Sequence, residues 1–188
     1  MNARYRAALA LSELILQQFS ITTSAGRVTT VSFVFDMNTV FEDFLSTALR
    51  ASLERIGGQV RLQYRHERLD HQRRIRLTPD ITWWQGNKCR AVIDAKHKPL
   101  EDARFPNADA YQMLAYCTAF GLKRGYLVYA KDAGEATRRH KMRNADVVID
   151  VKAIDVQLEP DYLLANVAKL ARELASSSAG AISIACAS

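Results

Sequence analysis

The amino-acid sequence predicts an α/β fold in which a mixed β-sheet is flanked by helices, and three observations carry that prediction. Between Asp36 and Gly57, apolar residues recur every three or four positions (Phe41, Phe44, Leu45, Ala48, Leu49, Leu53, Ile56), the period of a helix with one face on a core. After Gly57-Gly58 the period changes to two, with Val60, Leu62 and Tyr64 set against Arg61, Gln63 and Arg65. The segments "PDITWW" and "CRAVIDAK" then flank "QGNK" as a hairpin, followed by a helix and another apolar strand. The chain has 188 residues, 48% of them hydrophobic, enough for one domain with a substantial core, and no internal repeat is visible.

In chain order, Leu9, Leu11, Leu14, Ile15 and Phe19 form a helical stripe, giving an N-terminal helix over 1–22. The small polar residues of "TTSAGRVTT", 22–30, break that stripe and read as a linker. The main core follows over 31–155 and opens with Asp36 as N-cap of the long helix. Ile75 and Leu77, between Arg74 and Arg76, continue the strand-like alternation. A helix from Asn107 to Phe120, the strand "GYLVYA", a basic loop "TRRHKMR" and a strand "DVVIDV" complete the core. The remainder, 156–188, holds a last helix near 161–174 and an uncharged tail. Trp83 and Trp84 fall on opposite faces of their strand, so one is expected in the core and the other at a surface or partner contact.

The formal net charge of +6 favours an acidic partner, nucleic acid first. The three cysteines are scattered and form no CxxC pair, so neither a disulfide framework nor a zinc site is indicated, and a reducing cytoplasm fits. Glu13 and two glutamines interrupt the N-terminal apolar run, which lacks a small-residue cleavage site, and no stretch approaches the ~20 apolar residues of a bilayer span. The expectation is a soluble cytoplasmic protein with no membrane association. Neither a Ser-His-Asp order nor a glycine-rich phosphate loop is present, against a hydrolase triad and against nucleotide binding by this chain.

The stretch from Ala91 to Lys98, "AVIDAKHK", sets an acid and a base into an otherwise apolar strand. Residues two apart share a face, so Asp94 and Lys96 project together, while His97 points the other way and is not expected to bind metal. On its own such a pair is as often a structural ion pair as a functional one. Asp80, after Pro79 on the partner strand, faces Asp94 if the hairpin loop is odd in length, as a three-residue loop Gly86-Asn87-Lys88 makes it; a two-residue turn sets Asp80 opposite Ile93. Two carboxylates converging beside one lysine repel each other unless a hard cation sits between them, and oxygen ligands suit Mg²⁺. The lysine can then orient or help deprotonate a water and offset charge on phosphorus.

Glu42 lies at the edge of the buried face of the long helix, either as a third ligand or as an ordinary solvated acid. Asp109, Gln112 and Tyr116 form a polar stripe along an apolar helix, where Gln112 could bond a carboxylate, a water or a phosphate oxygen, or be a satisfied core amide.

The ordered set "FDMNTVFEDFL", "LTPDITWW", "AVIDAKHK", "DAYQMLAY" and "GYLVYA" resembles the PD-(D/E)XK nuclease superfamily, and within it the C-terminal nuclease domain of McrC, the cleavage subunit of the McrBC restriction systems that target DNA carrying 5-methylcytosine. The resemblance covers about residues 1–155 and includes the leading "ALALSELIL" helix. It implies a restriction-endonuclease-like core and a metal-dependent DNA endonuclease of a defence system, using Mg²⁺, for which Mn²⁺ can substitute. It makes Asp80 and Asp94 metal ligands together with the main-chain carbonyl of Ala95, Glu42 the helical acid, Lys96 the catalytic lysine, and Gln112 with Tyr116 a supporting pair. It also implies an AAA+ GTPase partner resembling McrB, and a homodimer where both strands are cut. McrC proteins ordinarily carry an N-terminal region that engages McrB, and little precedes the nuclease core in this chain.

Basic residues crowd two regions, and Arg73, Arg74, Arg76, Arg138, Arg139 and Lys141 are the expected DNA contacts; charge runs also dress ordinary solvated surfaces. Two rivals remain at this stage: a free-standing nuclease of the same fold in DNA repair or phage defence, and a non-catalytic DNA- or protein-binding module with a relict site.

Overall fold

The structure is a computed structural model that describes residues 21–25, 28–32, 36–97, 107–131 and 138–179. The stripe of Leu9 to Phe19 lies outside the described residues. The chain divides into two compact units, Met1–Val40 and Phe41–Ser188.

In the first unit, β1 (Ile21–Ala25) pairs antiparallel with β2 (Val28–Ser32). The segment expected to be a linker is therefore a hairpin, whose strands are threonine- and valine-bearing and suit extended backbone. Asp36 caps the helix that follows, as expected, accepting from the Asn38 backbone N–H at 3.0 Å and the Thr39 hydroxyl at 3.0 Å.

Helix α1 (Met37–Ile56) crosses from the first unit into the second. From Phe41 onward the buried Phe41, Leu45, Leu49 and Leu53 follow the predicted stripe, Ser46 is buried beside them, and Ile56, expected on the same face, is exposed at the helix end. Leu45, Leu49 and Leu53 are fully enclosed, so Leu49→Ala costs about 2–5 kcal/mol. Gly57 and Gly58, at φ +127° and +90°, end the helix. A Cβ on Gly58 would stand 2.2 Å from the Trp84 carbonyl oxygen, so no side chain fits at that crossing.

Six strands form one sheet: β3 (Gln59–Leu62), β4 (Ile81–Gln85), β5 (Lys88–Lys96), β6 (Arg124–Lys131), β7 (Arg138–Lys141) and β8 (Val148–Asp155), in the order β3-β4-β5-β6-β8-β7. β3, β4 and β5 are antiparallel neighbours, β5, β6 and β8 run parallel, and β7 returns antiparallel on the edge. Helix α2 (Asn107–Phe120) covers one face, packing Met113, Tyr116 and Cys117 on Val92, Leu127 and Tyr129. α1 and helix α3 (Pro160–Ala179) cover the other, where Val167, Leu170, Ala171 and Leu174 meet Tyr126, Val128 and Ile154. This is the mixed α/β sandwich of helices and sheet that the sequence predicts. None of the described helices is long and apolar enough to cross a membrane.

Four local readings are corrected. The alternation around Ile75 and Leu77 is a loop with an isolated bridge, Arg68 to Arg76: Asp70 Oδ1 takes the N–H groups of Arg74 and Ile75 at 2.8 and 2.7 Å and closes the chain on itself. The "basic loop" contains strand β7, an edge strand that charge protects from further pairing. The last helix continues to Ala179, past the expected 174. Both tryptophans are buried, because Tyr64 and Phe120 cover Trp84 at ring distances of 5.2 and 6.0 Å and the Arg61 guanidinium stacks on it at 4.5 Å.

Candidate active site

The β4–β5 hairpin sets Asp80 against Asp94, although by another device than loop length. Its turn has two residues, since Gln85 pairs with Lys88, which alone would oppose Asp80 to Ile93. Between Trp84↔Cys89 and Trp83↔Ala91 the register slips by one, leaving Arg90 unpaired as a bulge, and Ile81 then meets Ile93. That extra residue restores the parity, so Asp80, one position before Ile81, comes across from Asp94. The three-residue loop is thus replaced by a two-residue turn plus a bulge.

β4 pairs with β5 only as far as Ile93. Beyond it the Asp80 side chain takes over, its Oδ2 accepting the Ala95 backbone N–H at 2.9 Å. A strand residue presents its N–H and C=O on one side, so the Ala95 carbonyl also lies toward Asp80. Asp94 is 1% exposed and ion-pairs with Lys96, while its Oδ1 receives no hydrogen bond. Burial, reinforced by the Asp80 charge, pushes the Asp94 carboxyl up to about 7, against the pull of Lys96. Burial works to lower Lys96, but Asp94, Asp80 and Asp109 outweigh it and hold the ammonium above its ordinary range.

Glu42, half-buried on α1, reaches this group through an intermediary. Gln63 Nε2 donates to Glu42 Oε1 and, at 3.2 Å, to Asp80 Oδ1. Burial and the Asp80 charge raise the Glu42 carboxyl, with the Gln63 bond opposing them. The alternation of the sequence sets Gln63 outward on a continuing strand; instead it follows the last residue of β3, takes φ +45° and turns inward. The signal that finds it is register: Leu62 pairs with Ile81, so the next residue faces Asp80.

Gln112 is exposed and hydrogen-bonds neither aspartate; its Nε2 donates to the Tyr116 hydroxyl at 2.7 Å, and that hydroxyl donates to the Thr78 carbonyl at 3.0 Å. The pair therefore props the backbone two residues before Asp80. Asp109, named only as part of the stripe, is 5% exposed and accepts the Tyr129 hydroxyl at 2.5 Å, with Tyr129 the register partner of Lys96. His97 stacks against Phe41 at 6.1 Å, away from Lys96.

The expected DNA contacts occupy two separate places. Arg73, Arg74 and Arg76 are exposed on the loop between β3 and β4, and Arg73 donates to the His66 carbonyl at 3.0 Å. Arg138, Arg139 and Lys141 lie on β7, at the opposite edge of the sheet. Arg139 is already engaged by Asp150, at 2.7 and 3.4 Å.

No group of three His, Cys, Asp or Glu side chains among the described residues is arranged to hold a metal ion. Mg²⁺ does not require three, since it is commonly bound by one or two carboxylates with waters and phosphate oxygens completing the shell. Two facing carboxylates, one with a buried oxygen lacking any donor, suit that donor set.

Comparison with known proteins bears on the fold and the family of the chain. A chain from the Thermococcus gammatolerans assembly described as McrB AAA+ hexamers with bound McrC shares the fold at TM-score 0.59 and 17% identity, over 89% of this chain and 38% of that one. This chain thus spans under half the length of the solved one. Among curated proteins there is no match. The family model for McrBC 5-methylcytosine restriction system components matches residues 1–130. The chain belongs to that family, and its fold is restriction-endonuclease-like.

Proposed function

We propose that this chain is the nuclease module of a McrBC-like restriction system and hydrolyses DNA phosphodiester bonds internally, with Mg²⁺ as its cofactor and an McrB-like AAA+ GTPase as its partner. The observation that carries the reading is the convergence of Asp80, Asp94 and Lys96 on one face of the β4–β5 hairpin, with Asp94 buried beside a second acid. Asp80, Asp94 and the Ala95 carbonyl are the groups suited to hold the ion, with Glu42 at the edge of the set. A bound Mg²⁺ acidifies a water ligand and offsets negative charge on the phosphoryl oxygens.

The chain's own residues supply the rest. Lys96, held above its ordinary range, is an ammonium at neutral pH, so it acts as a donor and a fixed positive charge toward a phosphate oxygen or an attacking water. Asp94 pairs with that ammonium until a cation takes its place, and Asp80 fixes the Ala95 peptide. Tyr116 and Gln112 hold the backbone before Asp80. The exposed Arg73, Arg74 and Arg76 are suited to phosphate contacts; Arg139, engaged with Asp150, is less so.

One rival draws on a specific observation. A DNA-binding module with a relict site fits the lack of a three-residue metal cluster among the described residues. Nicking of supercoiled plasmid at low salt with Mg²⁺ or Mn²⁺ separates the two, run with and without the cognate GTPase. The nuclease reading predicts cleavage that a chelator abolishes and that Lys96→Ala lowers by about 10²–10³-fold with folding intact. Plasmid left uncut by the folded wild type in the presence of the GTPase would favour the relict site.

A further inference from the structure

Gln63 makes three hydrogen bonds into the site. Its backbone N–H donates to the Asp80 carbonyl at 2.9 Å, and its Nε2 donates to Asp80 Oδ1 and to Glu42 Oε1. It does so at φ +45°, a conformation that side chains other than glycine seldom take, and such outliers gather where function holds them. Two acids from different elements, α1 and the lead into β4, would otherwise separate by repulsion. A primary amide nitrogen carries two hydrogens, so one neutral group can donate to both at once. A carboxylate in its place would add repulsion, and an ammonium would neutralise charge that a cation is to meet. Each carboxylate oxygen retains a lone pair after accepting the amide, so the clamp leaves both acids able to ligate.

We propose that Gln63 is the positioning residue of this site, clamping Glu42 to Asp80 so that both acids are preset for one divalent cation. The proposal rests on the nuclease reading and extends it to a residue outside the nuclease motifs. Removing a group that orients a metal ligand typically costs 10–100-fold in affinity or activity.

The test is Mn²⁺ binding by calorimetry without DNA, with plasmid nicking and metal-free thermal midpoints, for wild type, Gln63→Gly and Gln63→Glu. Gln63→Gly keeps the backbone bond to Asp80 and suits the positive φ, so it is expected to fold with an unchanged or raised midpoint. It should bind Mn²⁺ about 10–100-fold more weakly and nick more slowly even at saturating Mn²⁺. Gln63→Glu sets a third acid against two others, so its metal-free midpoint should fall, and Mn²⁺ should raise it by more than it raises the wild type. A purely structural role for Gln63 does not give that reversal. Wild-type Mn²⁺ affinity and rate in a folded Gln63→Gly would overturn the proposal and leave the nuclease reading standing. A wild type that neither binds Mn²⁺ nor, with the cognate GTPase present, nicks plasmid would overturn both.

Discussion

Asp94 on β5 and Asp150 on β8 lie in the same sheet with one strand between them, 1% and 2% exposed. Asp150 is fully provided for: the Arg139 guanidinium grips both its oxygens at 2.7 and 3.4 Å, and Arg124 adds a second cation at 3.7 Å. Asp94 has one cation, Lys96, and across from it another acid, with an oxygen left bare of donors. The first arrangement ties an edge strand to the sheet and is complete. The second is short of positive charge, and such a deficit is what a cation site looks like from the protein's side.

Neutralising each acid should therefore act in opposite senses. Asp94→Asn relieves repulsion with Asp80, so chelator-treated protein should be as stable as wild type or more so in urea, while metal-dependent nicking falls by at least about 10²-fold. Asp150→Asn removes the buried acceptor that ties Arg139 and Arg124 to β8 and should lower stability, with nicking by the folded protein unaltered. Equal losses of stability in the two variants would erase the distinction.

Titration sharpens the same contrast. The Asp94 carboxyl is raised from 3.8 to about 7, so the folded state holds a proton that the unfolded chain gives up. Its contribution to stability is fully present below about pH 4 and is lost as pH rises to about 7. Glu42, also raised, contributes in the same sense. Urea midpoints of chelator-treated protein should thus fall over this window more in wild type than in Asp94→Asn. Mn²⁺ must displace the proton, so its affinity should climb with pH through about 7. A flat pH response in wild type would contradict the assignment.

The smallest effect belongs to the helix pair. Tyr116→Phe removes the bond to the Thr78 carbonyl and should cost about 1 kcal/mol, with a several-fold slower reaction. Gln112→Ala, at an exposed position bonded only to that hydroxyl, should stay within about 0.5 kcal/mol of wild type. A drop in rate on Gln112→Ala as large as that of Lys96→Ala would put Gln112 on the substrate instead.

Most of this arrangement was legible because its signals are local. The α1 stripe, the Asp36 cap, the α2 segment and the Asp94-Lys96 spacing each lie within a turn or a strand, where periodicity assigns faces. The Asp80–Asp94 opposition was expected from register parity, yet the device was misread, because a bulge at Arg90 leaves no mark in composition. Gln63 was missed for a related reason: a long connection, residues 63 to 80, joins β3 to β4, so no tight turn reveals which residue faces Asp80. β7 hid because edge protection and a solvated loop are both written in arginine and lysine. The β1–β2 segment passed for a linker because its threonines and serine also mark loops.

The most direct test is to locate Mn²⁺ by anomalous scattering in crystals of this chain grown or soaked with the ion. The account predicts one peak within about 2.2 Å of an oxygen from each of Asp80 and Asp94, with Lys96 displaced from Asp94 and no peak at Asp150. Saturating Mn²⁺ with no peak between those two carboxylates, and the Lys96–Asp94 ion pair intact, would contradict it.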